Sequence, residues 1–326
     1  MLQSFGTLMH TWLYGQGGYY TRAEIGVHGD FYTSVNASTF FGGSLACYLL
    51  DLLENQKLSL PLSVIEIGAH QGQLLGDILS FLRALSHGVL EHTQFITLEP
   101  LEHLRTAQQA HLAQRGITLQ CVSNPLDLPI TQSVFIYCNE LWDSFPCEVI
   151  QDGQMLHIDS HFKPLWRENC VLEKSKGCVP LSWQPYIHTL IKALERVPQW
   201  AIASFDYGQY GKREEIDLRA YERHRVLDFA DILENLPQLY QRVDLTYDVD
   251  FKHLESIFTQ LGASTLFYGT QAQTLIHMGL PKLLELFAAH MPFETYQKEA
   301  FKARALIDPS GFGERFKALI VANFTP

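Results

Sequence analysis

The chain has 326 residues, 47% hydrophobic and 18% charged, with a formal net charge of -11. That length carries one large catalytic domain or two ordinary ones, and the composition excludes a disordered chain. The acidic balance opposes long-range attraction to DNA or RNA phosphates and favours a basic protein or peptide partner.

Residues 1–45 are rich in glycine and aromatics and read as a structured, loop-rich lead-in, with a short helix expected within 1–14. Residues 40–53 are apolar at helical spacing. Residues 63–67 form a short apolar run between Pro61 and Gly68, which predicts a buried strand. Over 72–85 the apolar positions recur at helical spacing. Strands at 94–98, 117–122 and 134–138 and a helix at 100–114 continue the alternation. Strand–helix alternation predicts a parallel sheet with helices on both faces, and such sheets bind ligands beyond the carboxyl ends of their strands.

After residue 145 the rhythm changes. Asp152-Gly153 between apolar runs predicts a hairpin. Residues 180–197 read as a helix, 200–205 as a strand, and 208–245 as a polar, irregular insertion or lid. A helix at 251–261, a strand at 264–267, one or two helices over 270–290 and a closing strand at 316–324 complete the reading.

Three strand ends carry candidate chemistry. The first is Glu66-Ile-Gly68-Ala-His70-Gln-Gly72, at a strand-to-helix junction. Glycine there permits a tight turn and close approach to a ligand, and the acid suits a cationic group better than a pyrophosphate. A plain turn with a helix-packing glycine remains the alternative. The second is Glu99, which ends the next strand and can accept bonds from ribose hydroxyls, or be an exposed acid. The third is Asn139-Glu140-Leu-Trp142-Asp143-Ser-Phe-Pro146, where two carboxylates follow a buried strand, or where Asn or Asp caps a helix. Asp206, in Phe205-Asp206-Tyr207-Gly208, and the segment Arg219-Ala-Tyr221-Glu-Arg-His224 are further candidates.

Other classes find less support. The G-x-G-x-x-G loop of nicotinamide-dependent oxidoreductases is absent. The cysteines, at positions 47, 121, 138, 147, 170 and 178, form no C-x-x-C pair, and the histidines show no ligand spacing, so no metal is expected. No apolar run approaches the roughly 18 residues of a membrane helix, and neither a signal nor a transit peptide is evident, so a cytoplasmic setting with reduced thiols is expected.

Taken in order, the segments resemble the MidA family of S-adenosylmethionine-dependent methyltransferases, which includes a mitochondrial complex I assembly factor that methylates an arginine. The resemblance runs nearly end to end. It begins at Gly18-Tyr19-Tyr20, Gly29-Asp30-Phe31-x-Thr33 and Phe41-Gly42, and passes through the glycine loop and Asp77-Ile78-Leu79. It continues through Asn139-Glu140-x-x-Asp143-x-x-Pro146, Asp206-Tyr207-Gly208, Arg219-Ala-Tyr221 and Asp248-Val-Asp250-Phe251, and closes at Asp308-Pro-x-Gly-x-Gly313-Glu314.

The resemblance implies a Rossmann-like class I α/β fold with S-adenosyl-L-methionine as cofactor. It implies a single domain over 1–326: a cofactor-covering segment 1–45, a cofactor half 60–145, and a substrate half 146–326 with an insertion at about 208–250. Glu66, Gly68 and Gly72 would line the methionine side and Glu99 would hold the ribose, while His70, where the loop departs from the family, is a candidate to hydrogen-bond the cofactor. Gly29, Asp30 and Thr33 would fold over the cofactor, with Asn139 between cofactor and acceptor. Glu140 and Asp143 would grip the acceptor guanidinium, and Asp206 or His224 would take the released proton. The implied partner is a protein substrate, a respiratory-complex subunit being one class, and a homodimer is open. The family usually has another glycine at the position of His70, and a Cβ there crowds the loop. The alternative is therefore a catalytically inactive assembly factor on the same fold.

Overall fold

The computed structural model describes residues 2–22, 33–169, 176–211, 213–222 and 225–325. The single domain expected from sequence divides into two compact units. One takes in the described parts of Met1–Phe31, Trp142–Ile187 and Gly208–Leu254; the other comprises Tyr32–Leu141, His188–Tyr207 and Glu255–Pro326. The predicted Gly29, Asp30 and His224 lie outside the described residues.

The second unit holds the predicted sheet. Its elements are α1 (Phe40–Glu54), β1 (Leu62–Ile67), α2 (Gln73–Leu85), β2 (Thr93–Leu98), α3 (Glu102–Ala113), β3 (Gln120–Val122) and β4 (Ser133–Asn139). Then follow β5 (Gln199–Gln209), β6 (Ser264–Thr270), α4 (Gln271–His277), α5 (Leu280–His290), α6 (Phe293–Ile307) and β7 (Phe316–Ala322). The strand order is β6-β7-β5-β4-β1-β2-β3. β1 to β5 are mutually parallel, whereas β7 runs antiparallel to both β5 and β6.

All six residues of β1 are buried, Ser63 and Glu66 among them, as expected of a central strand covered on both faces. Chain order reverses direction across the sheet between β1 and β4. Their carboxyl ends therefore flank the crevice where such sheets take ligands. Phe41 of α1 meets Phe205 of β5 edge-on, with ring centroids 5.0 Å apart. Such a contact contributes about 1 kcal/mol beyond its buried area. Sequence periodicity does not mark α6, because its Phe293 and Phe301 are exposed.

In the first unit a five-stranded sheet runs Gln3–Ser4, Gln154–Ile158, Glu148–Gln151, Lys176–Val179, with Pro164–Glu168 added to Gln154–Ile158. The predicted hairpin is present. Asp152 and Gly153 adopt φ of 51° and 73°, the left-handed pair that a two-residue hairpin requires. The helix Phe5–Tyr14 is capped by the Ser4 side chain accepting the Thr7 N–H, and its buried Trp12 donates to the Val243 carbonyl at 2.8 Å.

The region expected to be irregular carries structure. Arg225–Leu227, Arg219–Glu222 and Asp244–Thr246 form an antiparallel three-stranded sheet, with short helices at Phe229–Glu234 and Leu236–Leu239. These strands are three or four residues long and too short to show a period-two pattern.

Candidate active site

In the second unit, the loop from Gly68 to Gly72 leaves the buried end of β1 and starts α2. Its backbone turns left-handed at Gly68 (φ 69°), His70 (φ 48°) and Gly72 (φ 79°). Gly72 closes the turn by donating to the Ala69 carbonyl at 2.7 Å. A Cβ at Gly68 would lie 3.2 Å from Leu141 Cδ1, so this backbone approaches its neighbours more closely than a side chain allows comfortably. His70 keeps the left-handed conformation despite its Cβ, at a cost of about 1 kcal/mol. Burial, and secondarily His103, lowers the His70 pKa to about 4, so the imidazole is neutral at physiological pH.

Glu66 lies on β1 directly before this loop, only 4% exposed. Its Oε2 accepts the Leu75 N–H at 3.1 Å and the Tyr137 hydroxyl at 3.2 Å. Burial nevertheless lifts its pKa to about 8, against the pull of both bonds. Glu99 follows β2 and is equally buried. Its Oε1 accepts the Leu101 N–H at 3.0 Å. Burial raises this carboxyl as well, opposed by the Leu101 bond, Arg105 and a bond from Gln108.

At the end of β4, Asn139 Nδ2 donates to Glu140 Oε1 at 2.9 Å, while Asn139 Oδ1 is buried without a partner among the described residues. Glu140 has φ 52°, a strained position for a side chain with a Cβ, and its N–H donates to the Phe205 carbonyl at 2.9 Å. The β4–β5 register pairs Asn139 with Phe205. Glu140, the first residue after β4, and Asp206, inside β5, therefore stand at the same level of adjacent strands. Asp206 is fully buried, and its Oδ1 accepts the N–H of Tyr207. Thr33 precedes the short helix Ser34–Ala37, and its carbonyl accepts the Asn36 and Ala37 N–H groups.

Asp143 belongs to the first unit, in the turn Trp142–Ser144, and is buried. Its charge joins burial, Asp244 and Tyr14 in raising the Tyr20 hydroxyl well above its ordinary value. In the same unit, Arg219 pairs with Asp248. Two of the sequence motifs thus meet in an ion pair rather than at a reacting centre.

Sequence reasoning missed two buried polar residues of the second unit, Tyr137 and Gln108. Tyr137 sits inside an apolar strand, opposite Glu66 in the β1–β4 register. Gln108 lies on α3, one turn before buried Leu112, and that spacing was its only signal.

These residues fit S-adenosyl-L-methionine. The open left-handed loop admits a ligand close to the backbone, a carboxylate ends the next strand, and Asn139 Oδ1 is a buried acceptor awaiting a donor. The fold and site define a class I methyltransferase sheet. A family model described as "Putative S-adenosyl-L-methionine-dependent methyltransferase" matches residues 44–269, and the chain belongs to that family. The MidA-type resemblance holds, and S-adenosyl-L-methionine is the cofactor.

The Caenorhabditis elegans protein arginine methyltransferase NDUFAF7 homolog, mitochondrial, is 24% identical over 291 residues, which are 75% of this chain and 65% of the relative. The Xenopus laevis protein arginine methyltransferase NDUFAF7, mitochondrial, is 25% identical over 349 residues, covering 92% and 76%. A Burkholderia thailandensis protein crystallised with S-adenosyl-homocysteine shares the fold, with a TM-score of 0.81 at 22% identity over 98% of this chain and 88% of that one. Among the described residues, no helix is long and apolar enough to cross a membrane.

Proposed function

We propose that this methyltransferase acts on an arginine side chain of a protein. The observation that carries the reading is that Glu140, directly after β4, and the buried Asp206, within β5, stand at the same level of adjacent strands, with Glu140 held at a strained backbone angle. The curated relatives' arginine specificity and the net charge of -11 support a basic acceptor.

S-adenosyl-L-methionine supplies an activated methyl group on a sulfonium. Glu66, Gly68, His70 and Gly72 are assigned to its methionine end, Glu99 to its ribose, and Gly29, Asp30 and Thr33 to its cover. A guanidinium is charged and a poor nucleophile, so orientation and charge localisation are what the protein must provide. Glu140 takes the planar fork and draws its charge away from the attacking nitrogen. Asn139 fixes the Glu140 carboxylate through its 2.9 Å bond. Asp206 accepts the released proton.

The test is methyl transfer to an arginine peptide by Glu140→Gln and Asp206→Asn. Turnover falls by roughly a hundredfold or more in each while S-adenosyl-homocysteine still binds. Wild-type turnover in both variants would overturn the assignment. His70 favours a second reading, an inactive assembly factor, which predicts that the wild-type protein transfers no methyl group to the peptide.

A further inference from the structure

Gln108 is fully buried on α3, yet its Oε1 has no hydrogen-bond partner among the described residues. Packing beside Leu112 would be served better by Leu or Met, because an orphaned buried carbonyl costs about 1–3 kcal/mol. What the amide provides is its nitrogen. Nε2 donates to the His70 carbonyl at 2.9 Å, and the same side chain lies beside the Glu99 carboxyl, on which it exerts a lowering pull. One buried group thus spans two separate strand ends, the glycine loop after β1 and the acid after β2.

The bond to His70 falls where it matters most. A non-glycine residue at φ 48° needs support from its surroundings, and its carbonyl is the group Gln108 holds. On the other side, Glu99 is held by the Leu101 N–H with the Gln108 amide beside it, so its orientation is set before any ligand arrives.

We infer that Gln108 is a positioning residue that locks the His70 turn to Glu99 and thereby sets cofactor affinity and recognition of the ribose hydroxyls. The inference rests on the assignment of Glu99 to the ribose. Gln108 touches no reacting atom; it acts through the two groups it spaces.

The test compares wild type with Gln108→Met, which keeps the shape and removes both donors. Calorimetry measures binding of S-adenosyl-homocysteine and of its 2′-deoxyribose analogue. Wild type prefers the ribose form. Gln108→Met weakens the ribose form by about tenfold or more, the value of one or two hydrogen bonds, and weakens the deoxy form less. The preference between the two therefore shrinks. In a His70→Gly background the same change costs less, because glycine takes the left-handed turn unaided. Unchanged affinity in Gln108→Met, or equal weakening of both ligands, overturns the inference. Should Gln108→Met fail to fold, Gln108→Ala carries the same comparison. If wild type binds both ligands equally, the ribose assignment of Glu99 fails instead, and the inference with it.

Discussion

Tyr137 donates its hydroxyl to Glu66 Oε2 across the parallel pair β1–β4, at 3.2 Å in the centre of the sheet. The bond does not offset burial, and the Glu66 carboxyl is raised from 4.5 to about 8. It is therefore protonated in the ligand-free protein at neutral pH. The folded state binds a proton that the unfolded chain releases above its own pKa, so stability is full below pH 4.5 and declines as pH rises towards 8. Glu66→Gln keeps an acceptor for the Leu75 N–H and removes the ionisation. Chemical denaturation across pH 5–8 should show the alkaline decline, amounting to several kcal/mol, flattened in the variant. Equal slopes in the two proteins would contradict it.

A cationic ligand beside Glu66 reverses this balance. An ammonium group near the carboxyl favours its charged form and pulls the pKa down. Binding of S-adenosyl-homocysteine at pH 7 should therefore release about one proton per site. Calorimetry in buffers of different ionisation enthalpy measures that number directly. Glu66→Gln should release none. Proton-neutral binding by wild type would place the amino group of the ligand elsewhere.

Gly208 sits beside Val249 in the first unit, and a Cβ added there would lie 2.1 Å from the Val249 carbonyl oxygen. That atom is backbone and cannot swing aside. The two residues are paired in the parallel ladder of Gly208–Gln209 with Val249–Asp250. Gly208→Ala should destabilise by about 3 kcal/mol or abolish folding, since the ladder must open to admit the methyl. Thermal unfolding checks this. A shift within a degree of wild type would mean that the strands separate more easily than their pairing suggests.

The sheet of the second unit was legible because its strands are buried runs separated by amphipathic helices. Residues 63–67 and 134–138 fall within β1 and β4. The last two strands pair antiparallel, with β6 as the edge and β7 inside it. The candidate acids were legible as polar residues ending apolar runs. What was not legible depends on the third dimension. The positive φ of Glu140 leaves no mark on residue type, and Gln108 looks like any polar residue of a charged helix. The strands within 208–250 are defined by pairing between short polar segments, such as Tyr221 with Asp244, which no local periodicity reports.

That pairing is braced by Asp248, whose side chain is only 7% exposed and meets both Arg213 and Arg219. Its backbone N–H also donates to Asp217 at 3.1 Å. Asp248→Ala leaves two partly buried guanidinium groups without their shared carboxylate, and removing one side of such a cluster costs about 3 kcal/mol or more. Arg219→Leu is milder, because Arg213 still neutralises Asp248. The expected order of unfolding midpoints is wild type, then Arg219→Leu, then Asp248→Ala. S-adenosyl-homocysteine affinity should hold in both variants, since every residue assigned to the ribose and methionine ends belongs to the second unit. A variant that loses ligand binding while keeping its midpoint would show that this network serves the cofactor and not only the fold of its own unit.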